Sequence, residues 1–371
     1  MGEGRAVIAQ ARRVVVKVGS SSLAGADGHL SLEVVQALAD VLARECAAGR
    51  QIILVTSGAI AAGIGPLGLD ERPRELELQQ ATASVGQGLL VAAYSAAFAR
   101  HGLTVGQVLL TTDDLVRRQH YGNAQRALNR LLELGVVPIV NENDTVATDE
   151  IRFGDNDRLA ALVATVVHAD ALVLLTDVDG LYTAAPGTPG ATRITDVVAP
   201  DDVAGVDISR RGSALGTGGM VTKLEAASLA TASGVAVVLA SAADVAPALA
   251  GENVGTLFHI TGKRDTSRLQ WLAHVAKVRG AIVVDDGAAR AVAGRRASLL
   301  AAGVVQVRGG FEAGEPVEVT RRDGRVVARG FAGFSAEEAD RMKGLSTDAL
   351  RDELGDAYAR ELIHIDNLVV L

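Results

Sequence analysis

Two acidic-amide runs lie close together in the chain, Asn141-Glu142-Asn143-Asp144 and Gly154-Asp155-Asn156-Asp157. The first follows an apolar run, Val136–Val140, that reads as a buried strand. The second precedes an apolar helix pattern from Leu159 to Val167. The spacing therefore crowds carboxylates and amides into loops at the C-terminal end of a strand, where open α/β sheets bind their ligands. Isolated loop acids are usually solvated surface. Three Asn and four acids in two short runs, flanked by core-like segments, point to a site.

Four further stretches carry possible chemistry. Lys17-Val18-Gly19-Ser20-Ser21 puts a lysine near the end of an apolar strand. An ammonium there needs a counter-charge, which a phosphate would supply, unless the strand end is simply exposed. Val55–Gly63 runs from a strand through a small-residue turn (Ser57, Gly58) into a helix. Its free N–H groups suit an anion, although close backbone packing would use the same residues. Leu174–Tyr182 ends a buried strand with Asp177, Asp179 and Gly180, a nucleotide contact or an ordinary tight turn. Gly216-Thr217-Gly218-Gly219-Met220-Val221-Thr222-Lys223 is glycine-rich and opens a helix, so its N–H groups can wrap phosphate oxygens with Lys223 one turn in. Lysine stands at only five positions (17, 223, 263, 277 and 343), and two of them are in these loops. No Walker A loop and no Ser-His-Asp or Cys-His arrangement occurs. A carboxylate acceptor, already ionised at pH 7, needs no base to attack a phosphoryl group. Positioning and charge stabilisation by two lysines and magnesium would suffice.

The elements that must position these residues follow a regular alternation. Strands are expected at 13–18, 51–55, 105–110, 136–140, 171–175 and 235–239. Helices are expected at 32–48 (Ser31 as N-cap), 75–100, 123–134, 156–168 and 219–233. Continuous apolar strands separated by helices mean a parallel sheet covered on both faces, an α/β αβα sandwich. Near residue 270 the pattern changes. Short strands at 281–284, 303–307, 316–319 and 325–328 alternate with Gly turns, and 335–355 is helical. The expected organisation is a domain over 1–265, a linker over 266–279 and a small β-rich domain with a helical tail over 280–371.

Bulk properties narrow the function classes. At 371 residues the chain is long enough for one large and one smaller core. A hydrophobic content of 49%, with 22% charged residues, describes a soluble globular protein; only 3% of residues are aromatic, so Val, Leu and Ala fill the core. A net charge of −8 argues against a general binder of nucleic acid or membrane surface. The single cysteine, Cys46, forbids an internal disulfide and reads as a buried structural thiol. No His/Cys cluster has zinc spacing, and His168 reads as structural. The N-terminus lacks a secretory apolar segment and no apolar run reaches membrane-spanning length, so a cytoplasmic location is expected.

Taken in order, the motifs resemble those of the glutamate 5-kinases, a family of the amino-acid kinase superfamily. The resemblance is carried by Lys17–Ser21, Val55–Gly63, Val85-Gly86-Gln87, Asn141–Asp144, Phe153–Asp157, Leu175-Thr176-Asp177 and Gly216–Met220, and spans nearly the whole chain. The segments Val283–Ala288, Ser298-Leu299-Leu300 and Gly309–Gly314 are similar to the PUA domain attached to many bacterial forms. The resemblance implies an amino-acid kinase fold and ATP-dependent phosphorylation of the γ-carboxylate of L-glutamate, the first step of proline synthesis. It implies that Lys17 and Lys223 contact the phosphates and that Asp157 holds the lysines. Ser57, Asp144 and Asn156 would bind glutamate, with Asp144 pairing to its α-ammonium. Lys17, Thr176, Asp177 and the Thr217–Lys223 loop (Thr217, Gly218, Gly219, Met220, Val221, Thr222, Lys223) would hold ATP. Magnesium, feedback inhibition by proline and a homo-oligomer (dimer or tetramer) are also implied. The sequence departs from the family pattern at Leu354–Arg360 and at Ala184-Ala185-Pro186.

Two rival readings remain open in the sequence. A sister kinase acting on N-acetylglutamate, aspartate or a nucleoside monophosphate would use the same phosphate loops. A protein working on RNA through its C-terminal domain is the other, since PUA domains elsewhere bind RNA. From Lys277 to Leu371, however, 14 basic residues face 15 acidic ones, which gives no phosphate-binding surplus beyond a local Arg321, Arg322, Arg325 patch.

Overall fold

The computed structural model describes residues 3–25, 28–116, 118–146, 155–184, 188–203, 219–262, 278, 280–294 and 297–371. Two compact units result, the first drawing on 1–115 and 119–265 and the second on 116–118 and 266–371.

The first unit is built on an eight-stranded sheet. Its strands are β1 (Arg13–Val18), β2 (Gln51–Thr56), β3 (Val105–Leu110), β4 (Val137–Glu142), β5 (Ala171–Thr176), β8 (Asp196–Val197), β9 (Ala236–Ser241) and β10 (Thr256–Phe258), in the order β3-β4-β2-β1-β5-β9-β10-β8. A separate two-stranded ribbon, β6 (Leu181–Tyr182) with β7 (Arg193–Ile194), branches off after β5. The first six strands in that order are parallel; β10 pairs antiparallel to β9 and parallel to β8. The apolar runs behave as a doubly covered sheet requires: β4 and β5 are buried at every position. Around them, in chain order, lie α1 (Glu3–Ala9), α2 (Ser20–Leu23), α3 (Leu32–Ala47), α4 (Ala59–Ile64), α5 (Leu76–Ala99), α6 (Thr112–Val116), α7 (Arg118–Glu133), α8 (Asp155–Val166), α9 (Met220–Ala232) and α10 (Val245–Leu249). Ser31 caps α3 as expected, its side chain accepting from the Val34 N–H at 3.3 Å.

Several details differ from the sequence expectation. The fourth strand starts one residue later and runs two further, so Asn141 and Glu142 are its last buried residues rather than loop. The pairs Leu109↔Asn141 and Leu110↔Glu142 with β3 keep them in the ladder. Asn156 and Asp157 sit in the first turn of α8, inside the helix expected at 156–168, which begins one residue earlier, at Asp155, and ends at Val166. Helix α7 begins at Arg118, not 123. The two- and three-residue strands β8 and β10 were not expected. They are anchored in part by Arg5 of α1, whose buried guanidinium donates to the carbonyls of Thr195, Glu252, Val254 and Gly255. Cys46 is half-buried, and burial pushes its thiol up to about 11. Helix α5, at 24 residues, is long and apolar enough to cross a membrane, contrary to expectation. Its Leu90, Tyr94, Ala97 and Phe98 are nonetheless buried in the core, with the Tyr94 hydroxyl 3.0 Å from Thr56 Oγ1. His168 has φ 53°, the left-handed turn that follows α8.

The second unit is a five-stranded mixed sheet of β11 (Gly280–Val284), β12 (Val304–Gly309), β13 (Pro316–Thr320), β14 (Val326–Phe331) and β15 (Leu368–Val370), ordered β12-β11-β13-β14-β15. Helices α11 (Asp286–Ala293), α12 (Ala336–Met342) and α13 (Thr347–Leu354) accompany it. Its own core includes Ile282, Val317, Val319, Phe334, Met342 and Ile363. The C-terminal tail is not wholly helical: after α13 the chain stacks Tyr358 on Phe334 (ring centroids 5.7 Å apart), lays Arg360 over the same ring, and returns as β15 along β14. The expected connector at 266–279 lies almost entirely outside the described residues.

Candidate active site

Lys17 is the penultimate residue of β1, flanked by Val55 on β2 and Leu174 on β5. It is therefore in the middle of the sheet and only 5% exposed. Asp157, 1% exposed, comes from the first turn of α8, and Lys223, 8% exposed, from the first turn of α9. All three meet. Lys17 Nζ lies 2.6 Å from Asp157 Oδ1, an ionic contact off the hydrogen-bonding direction, and Lys223 Nζ donates to Oδ2 at 3.1 Å. Thr222 Oγ1 is within reach of the same Oδ2 at 3.0 Å and of the Gly219 carbonyl at 2.9 Å. A buried lysine in an apolar strand does need a counter-charge, and here a carboxylate 140 residues away supplies it.

Two cations on one anion leave a net positive charge in a buried place. Burial pulls the Lys17 ammonium below its ordinary range; Asp157 opposes that and the neighbouring Lys223 adds to it. Burial would raise Asp157, but Lys17 and Lys223 together outweigh it and hold the carboxyl below the usual range. Asp157 is thus ionised and both nitrogens face the same few ångströms.

A second cluster adjoins the first through the neighbouring residues Asn156 and Asp157. Asn156 Nδ2 donates to Ser57 Oγ at 3.1 Å and to Asn141 Oδ1 at 3.0 Å. The Glu142 N–H donates to Asn141 Oδ1 at 2.9 Å and to Asn156 Oδ1 at 3.3 Å. Asn141 Nδ2 donates onward to Gln87 Oε1 at 2.7 Å. Ser57 follows directly from the end of β2, and Gly58, at φ 103°, makes the left-handed turn that starts α4. Gln87 reaches the cluster because α5 crosses α4 backbone to backbone: a Cβ on Gly86 would lie 1.8 Å from the Ala59 carbonyl oxygen.

Asp144 lies two residues beyond β4. Burial pushes its carboxyl up to about 6, against the pull of Arg72 in the loop between α4 and α5. At the end of β5 the buried Thr176 donates to Asp177 Oδ1 at 2.9 Å, and Asp177 adds its negative charge to those acting on Lys17. Met220 and Val221 lie in the first turn of α9. Thr217 and Gly218 lie outside the described residues, as do Phe153 and Gly154. Motif reading singled out Lys17, Ser57, Asp144, Asn156, Asp157, Thr222 and Lys223 by role. It assigned nothing to Gln87, Asn141 or Arg72; the Val85-Gly86-Gln87 triplet and the Asn141–Asp144 run were the only signals for the first two.

The donor set decides which groups fit. Gly19 leaves space above Lys17: an added Cβ would stand 3.5 Å from its Nζ, and a Cβ on Gly219 would meet only a backbone nitrogen at 4.0 Å. Two ammonium groups beside two open glycine turns fit phosphate oxygens. Magnesium held by protein alone does not fit, because among the described residues no three His, Cys, Asp or Glu side chains gather, and Asp157 is already taken by the lysines.

Residues 12–241 match the amino acid kinase family and residues 280–354 match the PUA domain. Among similar proteins, the glutamate 5-kinase of Streptomyces coelicolor is 59% identical over 372 residues, covering the whole of both chains. That of Streptomyces avermitilis is 58% identical, again over the whole of both. The glutamate 5-kinase of Thermobifida fusca is 57% identical over all of this chain and 96% of its own. A buried lysine pair from β1 and α9, a PUA domain match later in the sequence and full-length identity of this order agree: the chain is a phosphotransferase and belongs to the amino acid kinase family, in its glutamate 5-kinase group.

Proposed function

We propose that the protein uses ATP to phosphorylate the γ-carboxylate of L-glutamate, giving L-glutamyl 5-phosphate, the first step of proline biosynthesis in the cytoplasm. The observation that carries this reading is the meeting of Lys17 and Lys223 on Asp157, next to the Ser57–Asn156–Asn141 cluster. The glutamates of the 54–59% identical relatives' names support the choice of acceptor.

Lys17 and Lys223 hold the migrating phosphoryl group between nucleotide and acceptor, and Asp157 keeps both ammonium groups aimed at one point. An in-line transfer spreads negative charge over the equatorial oxygens, where two preorganised cations act best in a water-poor site. The acceptor carboxylate arrives ionised, so the transfer needs no positioned base. Ser57 and Asn156 orient it, and Asp144 takes the α-ammonium. Thr176, Asp177 and the 217–223 loop hold the nucleotide. Magnesium would come with the nucleotide's phosphates, as a hard cation with few protein ligands commonly does.

The reading extends to a homo-oligomer, to feedback inhibition by proline, to a second domain that does not bind RNA, and to boundaries at 1–265, 266–279 and 280–371. The deciding experiment is ATP-dependent ADP release measured with L-glutamate, N-acetylglutamate, L-aspartate and UMP in parallel. Glutamate is expected to lead by orders of magnitude; turnover of another acceptor at a similar rate refutes the assignment. Light scattering and a proline titration test the assembly and the inhibition, and a gel shift with RNA tests the second domain.

A further inference from the structure

Glutamine 87 stands outside every role assigned above, yet its orientation is dictated. The Glu142 backbone N–H can only donate, so the Asn141 atom that receives it must be the carbonyl Oδ1. Asn141 Nδ2 must then be the atom facing Gln87, and the Gln87 atom facing it, 2.7 Å away, must be Oε1. That leaves Nε2 as the free end of the amide. It is buried and has no acceptor among the described residues. Buried amide donors are nearly always satisfied, and one that is not is destabilising. Three amides (Gln87, Asn141, Asn156) and one hydroxyl (Ser57) form a single chain whose other members all have partners. The donor at the end of this chain lacks an acceptor, and the acceptor must be a compact, anionic or carbonyl oxygen small enough for a buried place.

We propose that Gln87 is a substrate-contacting specificity residue, donating from Nε2 to a carboxylate oxygen of the amino-acid substrate held beside Ser57 and Asn156. The inference deepens the proposed function and rests on its placing the acceptor at that cluster. It accounts for the backbone contact of α5 with α4 at Gly86, which sets the next residue against the cluster without any intervening side chain. A side chain on a helix core flank is thereby made part of the binding surface.

The test is steady-state kinetics of the full chain carrying Gln87→Glu. The substitution keeps an oxygen for Asn141 and replaces the donor by an anion. At pH 8 the KM for glutamate is expected to rise about 10- to 100-fold, the loss of one charge-assisted hydrogen bond. The KM for ATP should stay within about 2-fold. As the pH is lowered toward the ordinary glutamate range of about 4.3, the introduced carboxyl takes up a proton, regains an O–H donor and narrows the ratio of variant to parent KM, a recovery that a purely structural role would not give. Gln87→Ala is the second variant, expected to show the same split between the two KM values with no recovery. An unchanged glutamate KM in both variants, or equal rises for glutamate and ATP, overturns the proposal. The parent enzyme's acceptor panel stands apart: if it prefers another carboxylate acceptor, the proposed function fails while the Gln87 comparison is run on that acceptor.

Discussion

Asp157→Asn is the perturbation with the most to reveal. Asparagine preserves the shape of the side chain and an oxygen for Thr222, so little besides charge changes. Two ammonium groups that are 5% and 8% exposed then face each other with no anion. The protein can tolerate this only by giving up a proton. Neutralising one lysine at pH 7, starting from an ordinary value of 10.5, costs about 5 kcal/mol, in line with the roughly 3–5 kcal/mol for removing one partner of a buried ion pair. The penalty has a direction in pH. In the variant the folded state binds fewer protons than the unfolded chain, so its stability climbs as pH rises, and at pH 9 the same proton costs only about 2 kcal/mol. In the parent, the Asp157 carboxyl is held below the ordinary aspartate range. Its contribution is present above pH about 4 and is lost only as pH falls through its own lower value, so between pH 9 and pH 5 the parent's share stays constant and the gap to the variant widens as pH falls. Urea unfolding followed by far-UV circular dichroism at pH 5, 7 and 9 measures the difference, and ATP identifies the transition of the first unit by stabilising it. A penalty below about 1 kcal/mol at pH 7, or one that is the same at pH 9, refutes the account of one carboxylate neutralising two buried lysines.

Other outcomes follow from the same geometry. Lys223→Ala should lower phosphoryl transfer by at least about 100- to 1,000-fold with the far-UV spectrum intact, the usual scale for losing one preorganised donor; near-normal turnover would contradict its role. Because the Asp144 carboxyl sits at about 6, glutamate affinity should weaken as pH falls from 7.5 to 5.5 and the ammonium loses its anion. In Asp144→Asn that pH dependence should vanish and KM for glutamate should be high throughout, whereas a persisting slope would assign the titration elsewhere. Gly86→Ala puts a methyl 1.8 Å from a carbonyl oxygen and 2.5 Å from the Gly63 nitrogen, so a loss of about 3 kcal/mol and a drop in Tm of roughly 5–10 °C are expected in a thermal scan.

What the amino-acid pattern disclosed, and what it did not, has physical reasons. Long apolar runs such as Ala171–Leu175 were legible as buried parallel strands because burial on both faces leaves no polar alternation to confuse them. Strands β8 and β10 were not, since two or three residues have no period. Asn141 and Glu142 read as loop because polar side chains ordinarily end a strand; here hydrogen bonds to Asn156 and Gln87 satisfy Asn141 inside the sheet. Lys17 announced a missing counter-charge, but local sequence could not say that Asp157 would be it, because the pairing depends on β1, α8 and α9 meeting in space. Gln87 lies in an ordinary helical pattern, and only the crossing of α4 and α5 gives it a direction.

That crossing has one more consequence. Where Gly63 and Gly86 touch, main chain presses on main chain: a Cβ on Gly63 would sit 2.1 Å from the Thr82 oxygen. Between most helices, side chains keep the two main chains apart, at interaxial distances of about 8–10 Å. Here no side chain stands between them. The joint is close-packed main chain on main chain, so the two helices have little room to shift against each other where Gln87 meets the amide cluster.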